Sequence, residues 1–237
     1  MIRTISFSPG TSTRTLSLPL SVPAGLSLAG AGDLGGRDAA AEERRRSFLT
    51  EEGRPGPYVR LDQQHSRLVR TVAPGDTLGD GAIVGDGLLT ASEVTLCVTV
   101  ADCMPIYLYD RRIGVKGLLH SGWKGTGILV HALGTLKERF GSRPGDLEVV
   151  MGPCIGSCCY NVDRERGDLF AALWGREAVV ERNGVPYLDL RAANEAILSA
   201  MGVDAVTVVT DCTGCGGPYG SFRRDGPGRY AHMLAWI

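Results

Sequence analysis

Three residues of metal-binding types stand beside predicted strand ends: His65, Cys103 and His120. Cys103 follows an apolar run at 96–100, and His120 ends another run at 115–119. A hairpin around residues 110–113 would bring Cys103 and His120 close together. Two imidazoles and one thiolate leave the fourth position of a tetrahedral zinc ion to water, which is typical of catalytic zinc. The spacing alone also fits ordinary polar residues at a sheet edge.

The same residues allow two other kinds of chemistry. Cys103 could be a nucleophile with His120 as its base, which would make the protein a hydrolase or deamidase. A thiolate bound to metal is a poor nucleophile, so the two roles exclude each other in one state. Two His and one Cys also describe a copper site with a weak axial Met. Met104 would point away from Cys103 in an extended strand, so we expect it in the core or a pocket wall.

Histidine is scarce, which limits the number of metal ions. The chain has four His residues, so only His131 and His232 remain after His65 and His120. We expect both to be packed or solvated. A four-copper oxidase needs a trinuclear cluster built largely from imidazole, so the sequence predicts one mononuclear site instead.

Four of the seven cysteines form two close pairs, Cys158 with Cys159 and Cys212 with Cys215. An odd number with such spacing is a poor match to a secreted disulfide framework and favours a reducing, cytoplasmic compartment. Cys212 and Cys215 can be half of a zinc site completed by Cys158 and Cys159, a redox pair, or structural thiols. We favour structural thiols.

Helices and strands alternate along the chain and must position these residues. The patterns predict helices at 38–49, 126–140, 164–174 and 191–201, and strands at 16–22, 96–100, 106–109, 115–119, 147–151, 205–210 and 233–237. Residues 58–72 look extended, and a connection rich in Gly and Asp follows at 74–81. The runs between 96 and 119 are expected to be neighbouring strands. We predict an α/β protein, a single domain over residues 1–237 with a mixed β-sheet core and flanking helices.

Composition points to a small-molecule partner. Lys and Arg total 25 against 26 Asp and Glu, which argues against nucleic acid or an anionic membrane as the partner. The alternation at 16–22 disfavours a signal peptide, and apolar runs fall short of the roughly 20 residues of a membrane helix. We expect a monomer or weak homo-oligomer. Four glycines are expected where chain and ligand approach closely: Gly122, Gly125, Gly152 and Gly156.

Several segments resemble the laccase-domain family, also called the YfiH family. They are Val100-Ala-Asp-Cys-Met-Pro105, His120-Ser-Gly-Trp-Lys-Gly-Thr126, Gly152-Pro-Cys-Ile-Gly156, Cys212-Thr-Gly-Cys215 and Ser221-Phe-Arg-Arg-Asp-Gly226. The resemblance runs from about residue 38 to residue 237. Members were first named multicopper polyphenol oxidases and are described as purine nucleoside phosphorylases with adenosine deaminase activity. The implied fold is a single α/β domain, distantly similar to the catalytic domain of cytotoxic necrotizing factor.

The resemblance implies a metal site and a reaction. His65 of Gln63-Gln64-His65, Cys103 and His120 match the family's metal ligands and would be the catalytic residues. The implied metal is zinc, with copper possible. Zinc acidifies water that can attack C6 of an aminopurine, as in zinc deaminases. The implied substrates are phosphate and a purine nucleoside (adenosine, inosine or methylthioadenosine), which give free base and ribose 1-phosphate. The alternatives remain a copper-dependent polyphenol oxidase and a Cys/His hydrolase.

The expected substrate-binding residues are Arg44, Asp102, Lys124, Arg223 and Arg224. Arg44 matches an Arg in the family's early helix and is expected to hold phosphate or ribose, with Arg223 and Arg224 as supports, because a guanidinium suits phosphate geometry. Asp102 would orient a ligand, hold a base nitrogen or cap a strand end.

Two departures from the family pattern put these substrate contacts in doubt. Glu43 stands where Asn is usual, and Asn161 where Glu is usual. A non-enzymatic metal-binding protein would be favoured if these residues closed the pocket. Trp123 and Tyr160 are candidates for stacking on a purine, or are simply buried aromatics.

Overall fold

The computed structural model describes residues 2–7, 13–73, 76 and 83–237, and fourteen strands alternate there with five α-helices. The strands are β1 (Ile2–Ile5), β2 (Thr15–Ser17), β3 (Gly25–Ser27), β4 (Tyr58–Arg60), β5 (Val69–Val72), β6 (Gly87–Thr90), β7 (Thr95–Val100), β8 (Met104–Asp110), β9 (Lys116–Ser121), β10 (Leu147–Met151), β11 (Val179–Arg182), β12 (Val185–Leu188), β13 (Ala205–Val209) and β14 (Met233–Trp236). The helices are α1 (Ala39–Glu51), α2 (Ile128–Phe140), α3 (Arg164–Trp174), α4 (Leu190–Ala200) and α5 (Phe222–Asp225).

Two mixed sheets pack face to face. One has seven strands in the order β1-β13-β10-β8-β9-β6-β5, and the other has five in the order β2-β3-β14-β7-β4. An apolar core that includes Leu118 of β9 and Val98 of β7 fills the space between them. The hydroxyl of Tyr107 in β8 donates to the carbonyl of Gly25 in β3 across this interface, at 2.9 Å. Strands β11 and β12 form a separate hairpin.

Helices cover the outer face of each sheet. The core on one side joins Ile106 of β8 to Leu129 of α2 and Leu198 of α4. On the other side, Phe48 of α1 packs with Trp236 of β14. Because successive side chains of a strand point to opposite faces, Ile106 faces the helices whereas Tyr107 faces the second sheet. The result is a four-layer arrangement of helices, two sheets and a helix, which confirms the α/β class with a mixed sheet core and flanking helices.

Local hydrogen bonds and backbone conformation fix where the helices begin and end. The carboxylate of Asp38 accepts a hydrogen bond of 2.7 Å from the backbone N–H of Ala41 and caps α1. Gly141 ends α2 in the left-handed conformation, with φ of 66°. None of the helices in the described part of the chain combines the length and apolarity that crossing a membrane requires.

One predicted neighbour relation is wrong. The runs at 106–109 and 115–119 pair as β8 and β9, but the run at 96–100 is β7 of the other sheet, where it pairs with β14 and β4. An apolar run shows that a strand is buried but not in which sheet. The strand predicted at 16–22 is also shorter, because β2 ends at Ser17. Ala82 and the connection at 74–81, except Asp76, lie outside the described residues.

Candidate active site and metal centre

The β8–β9 hairpin brings Cys103 and His120 together. The antiparallel register pairs Pro105 with His120, and Cys103 lies one residue before β8. The turn is held by the Asp110 carboxylate, which accepts from the backbone N–H groups of Arg112 and Ile113 at 2.9 and 3.1 Å. This confirms the predicted hairpin.

His65 reaches the same place from the loop after β4. Its backbone is left-handed, with φ of 56°, which is unfavourable for a residue with a side chain. The buried carboxylate of Asp86 holds this loop, because it accepts from the backbone N–H groups of Gln64, His65 and Ser66 at 3.2, 3.0 and 2.6 Å. The ligand atoms of His65, Cys103 and His120 lie within 4.8 Å of one another.

Asp86 also orients His120. Its carboxylate lies 2.8 Å from Nδ1 of the imidazole, which leaves Nε2 for a metal ion. A histidine that binds a metal commonly donates its other ring N–H to a carboxylate in this way. Burial acts to raise the pKa of Asp86, but hydrogen bonds from His120 and Ser66 outweigh it and lower the pKa to about 2. Sequence reasoning missed Asp86, although an acidic residue between Gly85 and Gly87 at a strand start was a visible signal.

The surroundings of Cys103 favour the thiolate, which is the form that binds metals. Burial acts to raise the pKa of its thiol, but the nearby imidazoles of His120 and His65 lower it to about 6. Burial acts to lower the pKa of His120, but Cys103 and Asp86 raise it to about 10. Both shifts favour a thiolate at Cys103, and two imidazoles and a thiolate form a donor set that fits a metal ion.

Gly122 allows the chain to pass close to this sulfur. A Cβ atom at Gly122 would lie 2.6 Å from Sγ of Cys103 and 3.6 Å from the ring of His65. The space is also tight at Gly125, Gly152 and Gly156, where the nearest atoms would lie 3.2, 2.7 and 3.1 Å from a Cβ. This confirms the close approach of neighbouring chain segments at the four glycines, whereas their approach to a ligand stays a prediction.

The three ligands border a cavity of about 600 Å³. Aromatic side chains line part of it: Trp123, Tyr160, Phe222 and Tyr230. Guanidinium groups line another part: Arg37, Arg60, Arg166 and Arg223. A cavity of this size, lined by both aromatic and charged side chains, can hold a small polar molecule.

Two of the five predicted substrate-binding residues line the cavity. Asp102 does so, but its carboxylate accepts from the hydroxyl of Thr213 at 2.6 Å and from the backbone N–H of Arg223 at 2.7 Å. Its φ is 85°, so these bonds hold a strained backbone next to Cys103. Arg223 is the second, and its Nη1 donates to Oδ1 of Asn161 at 2.8 Å.

The described residues that line the cavity do not include Arg44, Lys124 or Arg224. Arg44 is exposed on α1, where its Nε donates to the carbonyl of Asp33. Lys124 is exposed over the ring of Trp123, and Arg224 donates to the carbonyls of Thr213 and Tyr219. Sequence reasoning missed Arg37, Arg60 and Arg166, whose positions carried no recognisable motif.

The positions that depart from the family pattern do not line the cavity. Glu43 is exposed on α1, and Asn161 is exposed beside Arg223. The observation that would have favoured a non-enzymatic protein is therefore not found in the described part of the chain.

The remaining histidines and Met104 lie as predicted. His131 is exposed on α2, and His232 is half-buried with Nδ1 3.1 Å from the Asp33 carboxylate. Met104 is buried in the core against the helices, away from the ligand set. Among the described residues, the ligand group around Cys103 consists of His65 and His120, as expected for one mononuclear site.

Comparisons with known proteins identify the family and named relatives of this chain. Residues 12–237 match the family described as multi-copper polyphenol oxidoreductase laccase. A purine nucleoside phosphorylase of Deinococcus radiodurans is 35% identical over 200 residues, covering 83% of this chain and 76% of that protein. An adenosine deaminase named RL5, from an unknown prokaryotic organism, is 36% identical over 55% of this chain and 53% of that protein.

A solved structure shows the same fold. The crystal structure of YlmD from Geobacillus stearothermophilus has a TM-score of 0.81 and 32% identity, and the match covers 91% of this chain and 90% of that one. The chain thus has the fold of a laccase-like α/β protein. It belongs to the multi-copper polyphenol oxidoreductase laccase family.

Proposed function

We propose that this protein is a zinc-dependent purine nucleoside phosphorylase that also deaminates adenosine. The observation that carries the proposal is the group of His65, Cys103 and His120 on the wall of a cavity lined by aromatic rings and guanidinium groups. The names of the relatives support the substrate class. The proposal includes the catalytic roles of the site residues, the identity of the metal as zinc and a cytoplasmic location.

His65, Cys103 and His120 would hold the zinc ion. Zinc is a Lewis acid that makes water more acidic near neutral pH. Asp86 fixes the orientation of His120, and its bonds to the 64–66 loop fix His65. Two nitrogen ligands and one sulfur ligand would leave the fourth position of a tetrahedral zinc ion to water, as catalytic zinc requires.

The cavity offers aromatic side chains for the base and guanidinium groups for the phosphate, and the two kinds lie against each other. The aromatic part of the lining suits a purine ring. Arg223 donates to the carbonyl oxygens of Cys159 and Asn161 and to the amide of Asn161, which are uncharged acceptors, so its positive charge is available to an anion. We assign the phosphate to Arg223 with Arg166, whose guanidinium lies 4.7 Å above the Trp123 ring.

Both reactions balance without a redox partner. In phosphorolysis a phosphate oxygen bonds to C1′ of the ribose, the bond from C1′ to the purine nitrogen breaks, and the purine leaves with a proton. The positive charge that develops on the ribose is stabilised by the bound phosphate. In deamination a water oxygen replaces the amino group at C6, and ammonia leaves.

Incubation of the pure protein with adenosine tests the proposal. With phosphate present, chromatography should show adenine and ribose 1-phosphate, and inosine should form with or without phosphate. Cys103→Ala should abolish both products, whereas the control Cys97→Ala, at a buried thiol of β7, should retain them. Absence of free base and inosine, in protein with measured zinc, would refute the proposal.

The Cys103–His120–Asp86 geometry favours a second candidate, a cysteine hydrolase. The thiolate of Cys103, an imidazole and an oriented carboxylate are the parts of such an enzyme. If this is the function, chelator-treated protein should hydrolyse amides faster than zinc-loaded protein. The polyphenol oxidase that the family description names would instead consume oxygen with a phenol in proportion to copper content, and would lose this activity in His120→Ala.

A further inference from the structure

A second group of metal-binding side chains lies outside the three-ligand site. The Sγ atoms of Cys158, Cys159, Cys212 and Cys215 lie within 4.8 Å of one another. Cys215 is 3.3 Å from Cys158 and 3.4 Å from Cys159. We call these residues the four-cysteine cluster. Its members come from parts of the chain separated by more than fifty residues, so their meeting is a product of the tertiary fold.

The parallel pairing of β10 and β13 produces this meeting. The register aligns Met151 with Val208, and a further bridge joins Cys154 to Cys212 beyond the strand ends. The chain segments that follow these two strands therefore leave the same edge of the sheet side by side. One carries Cys158 and Cys159, and the other carries Cys212 and Cys215.

We propose that the four-cysteine cluster binds a zinc ion in a closed, structural tetrathiolate site. A tetrahedral zinc ion with Zn–S bonds of about 2.3 Å places its sulfurs about 3.8 Å apart. The observed separations, from 3.3 Å up to the 4.8 Å limit, bracket that distance. Cys215 approaches two sulfurs at once, and all four cysteines are free thiols.

The surroundings of the cluster suit a bound metal. The backbone N–H of Gly156 donates to Sγ of Cys212 at 3.1 Å, as amides do to metal-bound sulfur. The guanidinium of Arg191 is held by the carbonyls of Cys154, Val209 and Asp211. Nη1 of Arg191 and Sγ of Cys158 both lie close to Gly156, at 3.1 and 3.3 Å from the position that a Cβ atom would take there. The positive charge of Arg191 therefore lies beside the sulfurs. It offsets the negative charge of a zinc tetrathiolate.

The cluster joins the two loops that build one side of the cavity. Tyr160, which lines the cavity, directly follows Cys159, and Arg223 donates to the carbonyl of Cys159 at 3.3 Å. Thr213, which follows Cys212, donates to Asp102 next to Cys103. Zinc at the cluster would therefore fix the wall of the active site without contacting substrate. Zinc binding at the four-cysteine cluster does not depend on the proposed function. Only the effect of the fixed cavity wall on catalysis rests on that function.

Counting zinc in purified full-length variants tests the proposal. The wild type should carry two zinc ions per chain. Cys103→Ala should carry one, and Cys158→Ser combined with Cys215→Ser should also carry one. The matched control is Cys154→Ala, because Cys154 is buried beside the cluster and burial raises the pKa of its thiol to about 12, so it should keep two ions.

Cobalt provides a spectroscopic readout. Cys103→Ala reconstituted with Co²⁺ should show the intense thiolate-to-cobalt charge transfer and the visible bands of a tetrahedral thiolate site. Adding Cys158→Ser and Cys215→Ser should remove them.

A mercurial titration of the wild type does not depend on whether a variant folds. It should release the second zinc ion in step with four thiols. The proposal is overturned if the wild type holds a single zinc ion that disappears in Cys103→Ala and persists in the double Ser variant. It is equally overturned if mass spectrometry of the folded protein finds disulfides among these cysteines.

Discussion

Two sulfur-containing clusters in the described part of the chain differ in their chemistry. His65, Cys103 and His120 combine nitrogen and sulfur donors, have a carboxylate behind them and open onto a cavity. The four-cysteine cluster contains sulfur donors alone and lies on loops where Cys158 and Cys215 are exposed. Three ligands leave a reactive position on a zinc ion, and four thiolates fill every position. Catalysis is therefore expected at the first cluster and support at the second.

Loss of one ligand from each cluster should have very different consequences. Cys103→Ala should lower kcat/KM for adenosine by more than about a hundredfold, since even loss of an outer partner costs roughly 10- to 100-fold. Cys158→Ser combined with Cys215→Ser should change kcat/KM far less, through a loosened cavity wall, and should mainly lower the melting temperature. Steady-state kinetics and thermal unfolding of both variants check this. Equal losses of kcat would contradict the division of roles.

Asp86→Asn tests whether the carboxylate of Asp86 supports zinc binding at His65, Cys103 and His120 without affecting the four-cysteine cluster. The substitution weakens the orientation of His120 and the hold on the 64–66 loop. Zinc affinity at the three-ligand site should fall roughly 10- to 100-fold. Competition with a chromophoric chelator measures it, and excess zinc should restore activity. The second zinc ion should be unaffected; its loss in parallel would indicate general unfolding.

Glycine substitutions probe each sulfur separately. At Gly122 a Cβ would lie 2.6 Å from Sγ of Cys103, and at Gly214 it would lie 3.3 Å from Sγ of Cys159. Crowding of this kind costs about 1–3 kcal/mol, so Gly122→Ala should reduce zinc affinity at the catalytic cluster about tenfold. Gly214→Ala should act on the other cluster. Gly134→Ala, where nothing lies within 4 Å, is the control and should change neither affinity.

Arg223 contacts the loop of the four-cysteine cluster and lines the cavity, so it tests how the two regions are linked. Arg223→Gln should raise KM for phosphate roughly tenfold, because a hydrogen bond to a charged group contributes about 1.5–3 kcal/mol. Lys124→Gln and Arg44→Gln, at exposed sites outside the cavity lining, should leave KM unchanged. A larger effect at Arg44 would restore the expectation drawn from the family's early helix.

Asn161→Glu should have the smallest effect. It places a carboxylate where the neutral amide now accepts from Arg223 at 2.8 Å. Because Arg223 is exposed, the new ion pair is weak, and KM for phosphate should rise roughly two- to fivefold. Asn161→Gln keeps the amide and serves as the control. A fall in KM would show that Arg223 is not the phosphate ligand.

The hairpin and the helix ends could be predicted because their causes are local. The turn between β8 and β9 sets the register that places Cys103 beside His120. Asp38 and Gly141 act within a few residues of the helices that they begin and end. The sheet to which β7 belongs depends on distant partners, β14 and β4, and was therefore wrongly predicted.

The residues that line the cavity also depend on distant parts of the chain and could not be predicted from local patterns. Arg44 was chosen from a family position, yet on α1 it is exposed and lies outside the lining. Arg166 comes from α3 and Arg37 from the segment before α1, and neither stands in a motif that marks it. A cavity wall is assembled from side chains of unrelated segments, so residue spacing carries little information about it.

The sequence by itself determined the chemical types of the ligands and the small number of imidazoles, because these follow from residue identity and local turns. The tertiary structure decided that Asp86 supports both histidines of the site, since those contacts span more than twenty residues. It also decided that four cysteines from two loops meet. That meeting depends on the parallel pairing of β10 with β13, and strands that pair across a long connection leave no local pattern in the chain.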